Sequence, residues 1–116
     1  MSKTTIYHNP HCSKSRQTLE LLDTHGVEAD IVEYLKIPPN AGQLSEILDL
    51  LGMEPRELMR TNEPEYKDNT LDDPDLSREQ LIQAMIDYPR LMQRPIVLSK
   101  GKAALGRPPE NVLEIL

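Results

Sequence analysis

The sequence predicts an α/β protein: a sandwich of helices on a four-stranded mixed sheet, with a helical segment inserted at about residues 40–90. Three observations carry this. A strand–helix–strand pattern fills residues 3–34, the middle of the chain repeats apolar residues at helical spacing, and two short apolar runs near the end flank a tight turn. With 116 residues the chain is read as one domain, 1–116, able to hold a single packed core. It has no Trp, no Phe and four Tyr, so Leu, Ile, Val and Met must fill that core.

Residues 3–7 form the first strand, ended by Asn9-Pro10. Helical periodicity follows over residues 15–25, with Thr18, Leu21, Leu22 and His25 at i, i+3, i+4 and i+7 and Gly26 as the stop. The branched apolar residues of 29–34 make a second strand. Strand, helix and strand at this spacing form a βαβ unit, so the two strands are expected to be parallel.

Asn40 with Gln43 three residues later resembles a capping box. It opens a helix whose stripe is Leu44, Ile47, Leu48 and Leu51, closed by Gly52. A short helix is expected over residues 55–59, ending at Arg60. Residues 61–76 show no periodicity and carry six acidic side chains, which reads as a loop or lid. Ser77 opens another helix with Leu81, Ala84, Met85 and Tyr88 on one face and Pro89 at its end. Residues 95–99 and 103–106, joined across Lys100-Gly101-Lys102, read as a hairpin, and Pro108-Pro109 precedes a terminal helical turn over 110–116.

A net charge of −6 argues against a general nucleic-acid surface, which needs a basic face. The one cysteine allows no internal disulfide. The opening residues carry no apolar signal-peptide core, and no run approaches membrane-spanning length. A cytoplasmic protein without membrane or nucleic-acid partners is therefore expected.

Chemistry concentrates at Cys12, where the first strand turns into the first helix. Sulfur there meets unpaired N–H groups and the positive end of the helix dipole, and both favour thiolate over thiol. Cysteines in such places titrate at roughly 3.5–7.5 rather than about 8.5. Lys14 and Arg16 add positive charge. The His and Cys spacing gives no C-x-x-C or H-x-x-x-H pattern, so no metal site is expected. His11 is read as solvent-facing and His25 as a helix-end residue.

His8-Asn9-Pro10-His11-Cys12 with Ser15-Arg16, Leu58-Met59-Arg60, Asn62-Glu63, Arg94-Pro95-Ile96-Val97 and Gly106-Arg107-Pro108 run in order along nearly the whole chain. Together they resemble the glutaredoxin-dependent arsenate reductase family, which has a thioredoxin-like fold. The resemblance implies Cys12 as the nucleophile and Arg60, Arg94 and Arg107 as the oxyanion-binding residues. Guanidinium groups suit that role because they stay charged and present paired N–H donors to an oxyanion. It also implies supporting roles: His8 as a group that lowers the cysteine pKa by adding positive charge, Ser15 as a hydrogen-bond partner of the thiolate, Asn9 beside the substrate as a loop-orienting residue, and Pro95 as a cis proline. The implied partners are arsenate, glutathione as co-substrate and glutaredoxin, with no tightly bound cofactor. Ser13-Lys14 stands where relatives commonly have Gly-Thr.

Two alternatives from other classes share this scaffold. One is a regulator similar to the Spx proteins, which bind RNA polymerase; many of those carry C-x-x-C at this turn, where Ser15 replaces the second cysteine here. The other is a general glutathione-dependent thiol oxidoreductase. The three arginines favour the arsenate reductase reading over the regulator; the general oxidoreductase needs the same activated Cys12, and against it only the arginine set speaks for a tetrahedral oxyanion.

Overall fold

A computed structural model describes residues 4–116. The chain divides into two compact units, one of residues up to Ile37 together with Arg94–Leu116, the other Pro38–Gln93. Among the described residues, no helix is long and apolar enough to cross a membrane.

The first unit holds the sheet. β1 (Thr4–Tyr7), α1 (Ser13–Thr24), β2 (Ala29–Val32), β3 (Ile96–Ser99) and β4 (Lys102–Leu105) follow in chain order. The expected first strand included Lys3, which lies outside the described residues. The four strands are ordered β2-β1-β3-β4. β1 and β2 are parallel with Ile6 opposite Ile31, whereas β1 and β3 are antiparallel with Ile6 opposite Val97. This is the mixed sheet that the strand–helix–strand and hairpin patterns predict. At the hairpin tip Lys100 and Gly101 have φ of 54° and 72°, the left-handed pair that matches the twist of the flanking strands.

Two boundaries differ from expectation. β2 stops at Val32 rather than reaching residue 34, because the chain turns there: the Glu33 carbonyl accepts N–H bonds from Lys36 at 2.9 Å and Ile37 at 3.0 Å. The C-terminal segment Pro109–Ile115 is a 3₁₀ helix and not an α-turn. Its buried residues, Pro109, Val112 and Ile115, recur every third position, which is the 3₁₀ period. Val112 and Ile115 join Ile6, Leu22 and Val97 in the core of this unit. Each such burial is worth about 1.5–3 kcal/mol.

The second unit is helical: α2 (Ala41–Leu51), α3 (Pro55–Leu58), α4 (Pro64–Asp68) and α5 (Arg78–Asp87), then a 3₁₀ turn at Pro89–Leu91. α2 starts with the expected capping box, Asn40 Oδ1 accepting from Gln43 N at 2.8 Å and Gln43 Oε1 from Asn40 N at 2.9 Å. Gly52 ends it in the left-handed conformation, a position that glycine fills without strain. Leu44, Ile47 and Leu48 are buried. α5 is capped in the same way by Ser77 and Gln80 and buries Leu81, Ile82, Ala84 and Met85, but Tyr88 is exposed at its end.

The stretch 61–76, read as an irregular loop, contains α4. That helix buries none of its residues, so it leaves no apolar period to detect; Pro64 at its first turn is the local signal. The following turn is held by Arg56, whose Nε donates to the Leu71 carbonyl at 3.2 Å and whose Nη2 donates to that of Asp73.

Candidate active site

Strand β1 hands over to α1 through a short run of residues whose sequence dictates a tight turn. Asn9 Oδ1 accepts the His11 N–H at 3.0 Å, an Asx turn, and the Asn9 carbonyl accepts the Cys12 N–H at 3.0 Å. Cys12 is then the N-cap of α1, with extended backbone and its carbonyl accepting from Arg16 N at 3.0 Å. The helix therefore begins at Ser13, earlier than periodicity suggests. Ser13, Lys14, Arg16 and Gln17 are all exposed, so the first turn carries little apolar pattern.

Cys12 is buried. Burial alone pushes its pKa up, but the Ser15 N–H, the Arg94 guanidinium and the Lys14 N–H outweigh this, and the thiol titrates below its ordinary value. The Arg94 effect combines a hydrogen bond with charge attraction. Sulfur at a helix start, with donors from the first turn and a fixed cation beside it, is a stabilised thiolate.

Ser15 serves the sulfur through its backbone N–H, and its hydroxyl has other partners. Its Oγ is fully buried and engaged elsewhere, accepting the Asn9 N–H at 3.0 Å and lying 2.6 Å from His8 Nδ1. His8 is buried, and that burial lowers its pKa; Glu33 opposes the shift and Arg16 reinforces it. Burial thus disfavours the protonated ring, the form in which His8 would add positive charge to the turn. His8 Nδ1 and the Ser15 hydroxyl share one hydrogen bond, and Ser15 Oγ also accepts the Asn9 N–H. His8, Ser15 and Asn9 thus fix the turn that presents Cys12. Asn9 spends its Oδ1 on this turn, as a loop-orienting residue does.

Arg94 reaches the site from the start of β3. Its peptide bond to Pro95 is cis, as the resemblance implies, and its Nε is buried without a hydrogen-bond partner. The Pro95 carbonyl accepts the Gly106 N–H at 2.9 Å. A side chain at position 106 would put Cβ 2.4 Å from Thr18 Oγ1 and 2.7 Å from Pro95 Cγ, so only glycine lets the end of β4 approach α1 and the proline. In the sequence this constraint leaves no trace beyond a glycine at a strand end. Arg107 comes next, exposed, with a second cis bond to Pro108 that no local pattern predicts.

Arg60 belongs to the Pro38–Gln93 unit. Its backbone N–H donates to Leu91 O at 2.6 Å, and Nη1 pairs with Glu63 Oε1 at 2.6 Å. Glu63 also meets Arg90 at 3.4 Å. Cys12, His8, Asn9, Ser15 and Arg94 are joined by these contacts within the first unit; Arg107 is placed by Gly106.

A thioredoxin-like sheet with an activated thiol at its first strand-to-helix turn defines the class of protein. The chain matches the model of the ArsC family over residues 7–115 and belongs to that family. It is 58% identical to the uncharacterized protein YfgD of Escherichia coli over 96% of this chain and 94% of that one. It is 45% identical to an arsenate reductase of Neisseria meningitidis over the full length of both. The solved arsenate reductase of Vibrio cholerae superposes with a TM-score of 0.95 at 46% identity, covering 98% of each chain.

Proposed function

We propose that this protein reduces arsenate to arsenite through the Cys12 thiolate, with glutathione as co-substrate and glutaredoxin regenerating the thiol. The observation that carries this reading is the pairing of a stabilised thiolate with Arg94, whose buried Nε–H has no acceptor. An arsenate oxygen satisfies that donor. Its charge also explains the need for a guanidinium: thiolate and arsenate are both anions, and the attack succeeds only if their repulsion is offset.

Cys12 attacks arsenic and one oxygen leaves as water, giving a sulfur–arsenic bond. A glutathione thiolate then attacks the Cys12 sulfur, the sulfur–arsenic bond breaks, and its electron pair stays on arsenic as arsenite. The two electrons come from two thiols, which end as a Cys12–glutathione disulfide; no metal or bound cofactor takes part. Glutaredoxin reduces the disulfide. Arg107 and Arg60 complete the oxyanion contacts by family resemblance.

The test is arsenate-dependent NADPH oxidation coupled through glutathione, glutathione reductase and glutaredoxin. Activity is expected only with all components present. Arg107→Ala and Arg60→Ala are expected to raise the KM for arsenate about tenfold or more, the scale of one charged hydrogen bond. Turnover that persists without glutaredoxin overturns the regeneration step; no arsenate dependence overturns the reading.

A further inference from the structure

Away from Cys12, the first unit carries a groove of about 610 Å³ between the outer face of α1 and strand β2. Leu19, Val27 and Ile31 give it an apolar floor, and Glu20, Asp23 and Glu28 an acidic wall. Among the described residues, Arg16 is the one cation in the lining.

The wall of the groove along β2 is an open sheet edge. β2 is the outermost strand, and the His8 N–H bonds to the Val32 carbonyl at 2.8 Å, so Val32 faces β1. Because successive residues of a strand point their polar groups to alternate sides, Ile31 and Ala29 turn N–H and C=O outward. Both line the groove. Such an edge is a template for another strand. Ile31, which lines the groove, is 52% exposed.

We infer that this groove is a docking site for an extended, basic segment of another protein, which adds to the free edge of β2. Its apolar side chains rest on Leu19, Val27 and Ile31, and its lysines or arginines meet Glu20, Asp23 and Glu28. Charge selects the occupant. Among the described residues of the lining, three carboxylates stand against one guanidinium; in a chain of net charge −6, they attract a cationic segment and repel a second copy of this chain. The inference is independent of the arsenate reaction, although Arg16 donates its backbone N–H to the Cys12 carbonyl at 3.0 Å, which puts the occupant beside the thiolate turn.

The probe is a capped heptapeptide alternating valine and lysine, added to ¹⁵N-labelled protein, wild type and Cys12→Ser. Saturable shifts at the Ala29 and Ile31 amides, with affinity falling as salt rises, are expected. The Glu20→Lys/Asp23→Lys double variant should bind about tenfold more weakly, and Ile31→Lys should also weaken binding; both sites are exposed enough to spare the fold. Equal binding of a valine–glutamate peptide overturns the charge assignment. Equal binding of a lysine peptide with alternate backbone amides methylated overturns strand addition. Concentration-dependent dimerisation in sedimentation that is lost in Ile31→Lys shows that a second copy is the occupant and also overturns the proposal.

Discussion

The starts of α2 and α5 and the start of α1 use the N-cap position differently. Asn40 at α2 and Ser77 at α5 each accept the N–H three residues on and receive a glutamine in return. Their first-turn donors are satisfied by neutral oxygen. Cys12 at α1 makes no such side-chain cap bond; the Lys14 and Ser15 N–H groups instead lower the pKa of its sulfur. A capped start is a stability device, whereas an uncapped one keeps donors available to an anion. The turn at α1 is made rigid by other means, the His8–Ser15–Asn9 contacts.

The sharpest way to break the contrast is Cys12→Ser. Arsenate-dependent NADPH oxidation should fall to background. Yet serine is a strong N-cap, so at a pH low enough to keep Cys12 a thiol the variant should gain about 0.5–1 kcal/mol in urea unfolding. A loss of stability would mean that the sulfur is held by packing rather than left uncapped. Arg94→Ala tests the cation beside the thiolate. It should raise the pH midpoint of iodoacetamide alkylation and cut kcat/KM by about 10²–10³, the scale of removing a preorganised donor. An unchanged midpoint would assign the thiolate to the helix start alone.

Asn40→Ala and Ser77→Ala probe the conventional starts. Each should cost about 1 kcal/mol by urea unfolding and leave the alkylation midpoint of Cys12 where it was. The smallest effect is on the pH dependence of stability. Burial lowers the His8 pKa in the fold, so the unfolded chain takes up this proton first. Stability should decline as pH falls below about 6.5. Cys12 is lowered too, because the Ser15 N–H, Arg94 and the Lys14 N–H outweigh the opposing effect of burial. Its contribution is complete above about 8.5 and vanishes as pH falls through its folded value. Urea midpoints should thus rise with pH in both windows, and Cys12→Ser should flatten only the upper one.

The sheet strands, the Asn40–Gln43 capping box, the helix start at Ser77 and the Gly52 stop were legible because each is a local agreement between residue type and backbone geometry. Cys12 was legible for the same reason, standing between Asn9-Pro10 and a helix. The start of α1 at Ser13 was not, since its first turn is exposed and lacks apolar period. Nor was α4, which buries nothing. The hydroxyl of Ser15 faces His8 and Asn9 rather than sulfur, a matter of rotamer and neighbours.

By itself the sequence determined the four strands, most of the helices and the turn that holds Cys12, since propensity, capping and periodicity act over a few residues. Charge states and close approaches belonged to the tertiary structure. Burial lowers the His8 pKa, Arg94 arrives from a distant part of the chain to hold the Cys12 thiolate, and Gly106 is compulsory only because Thr18 and Pro95 crowd it. These depend on desolvation and on contacts between distant residues, which no local pattern encodes.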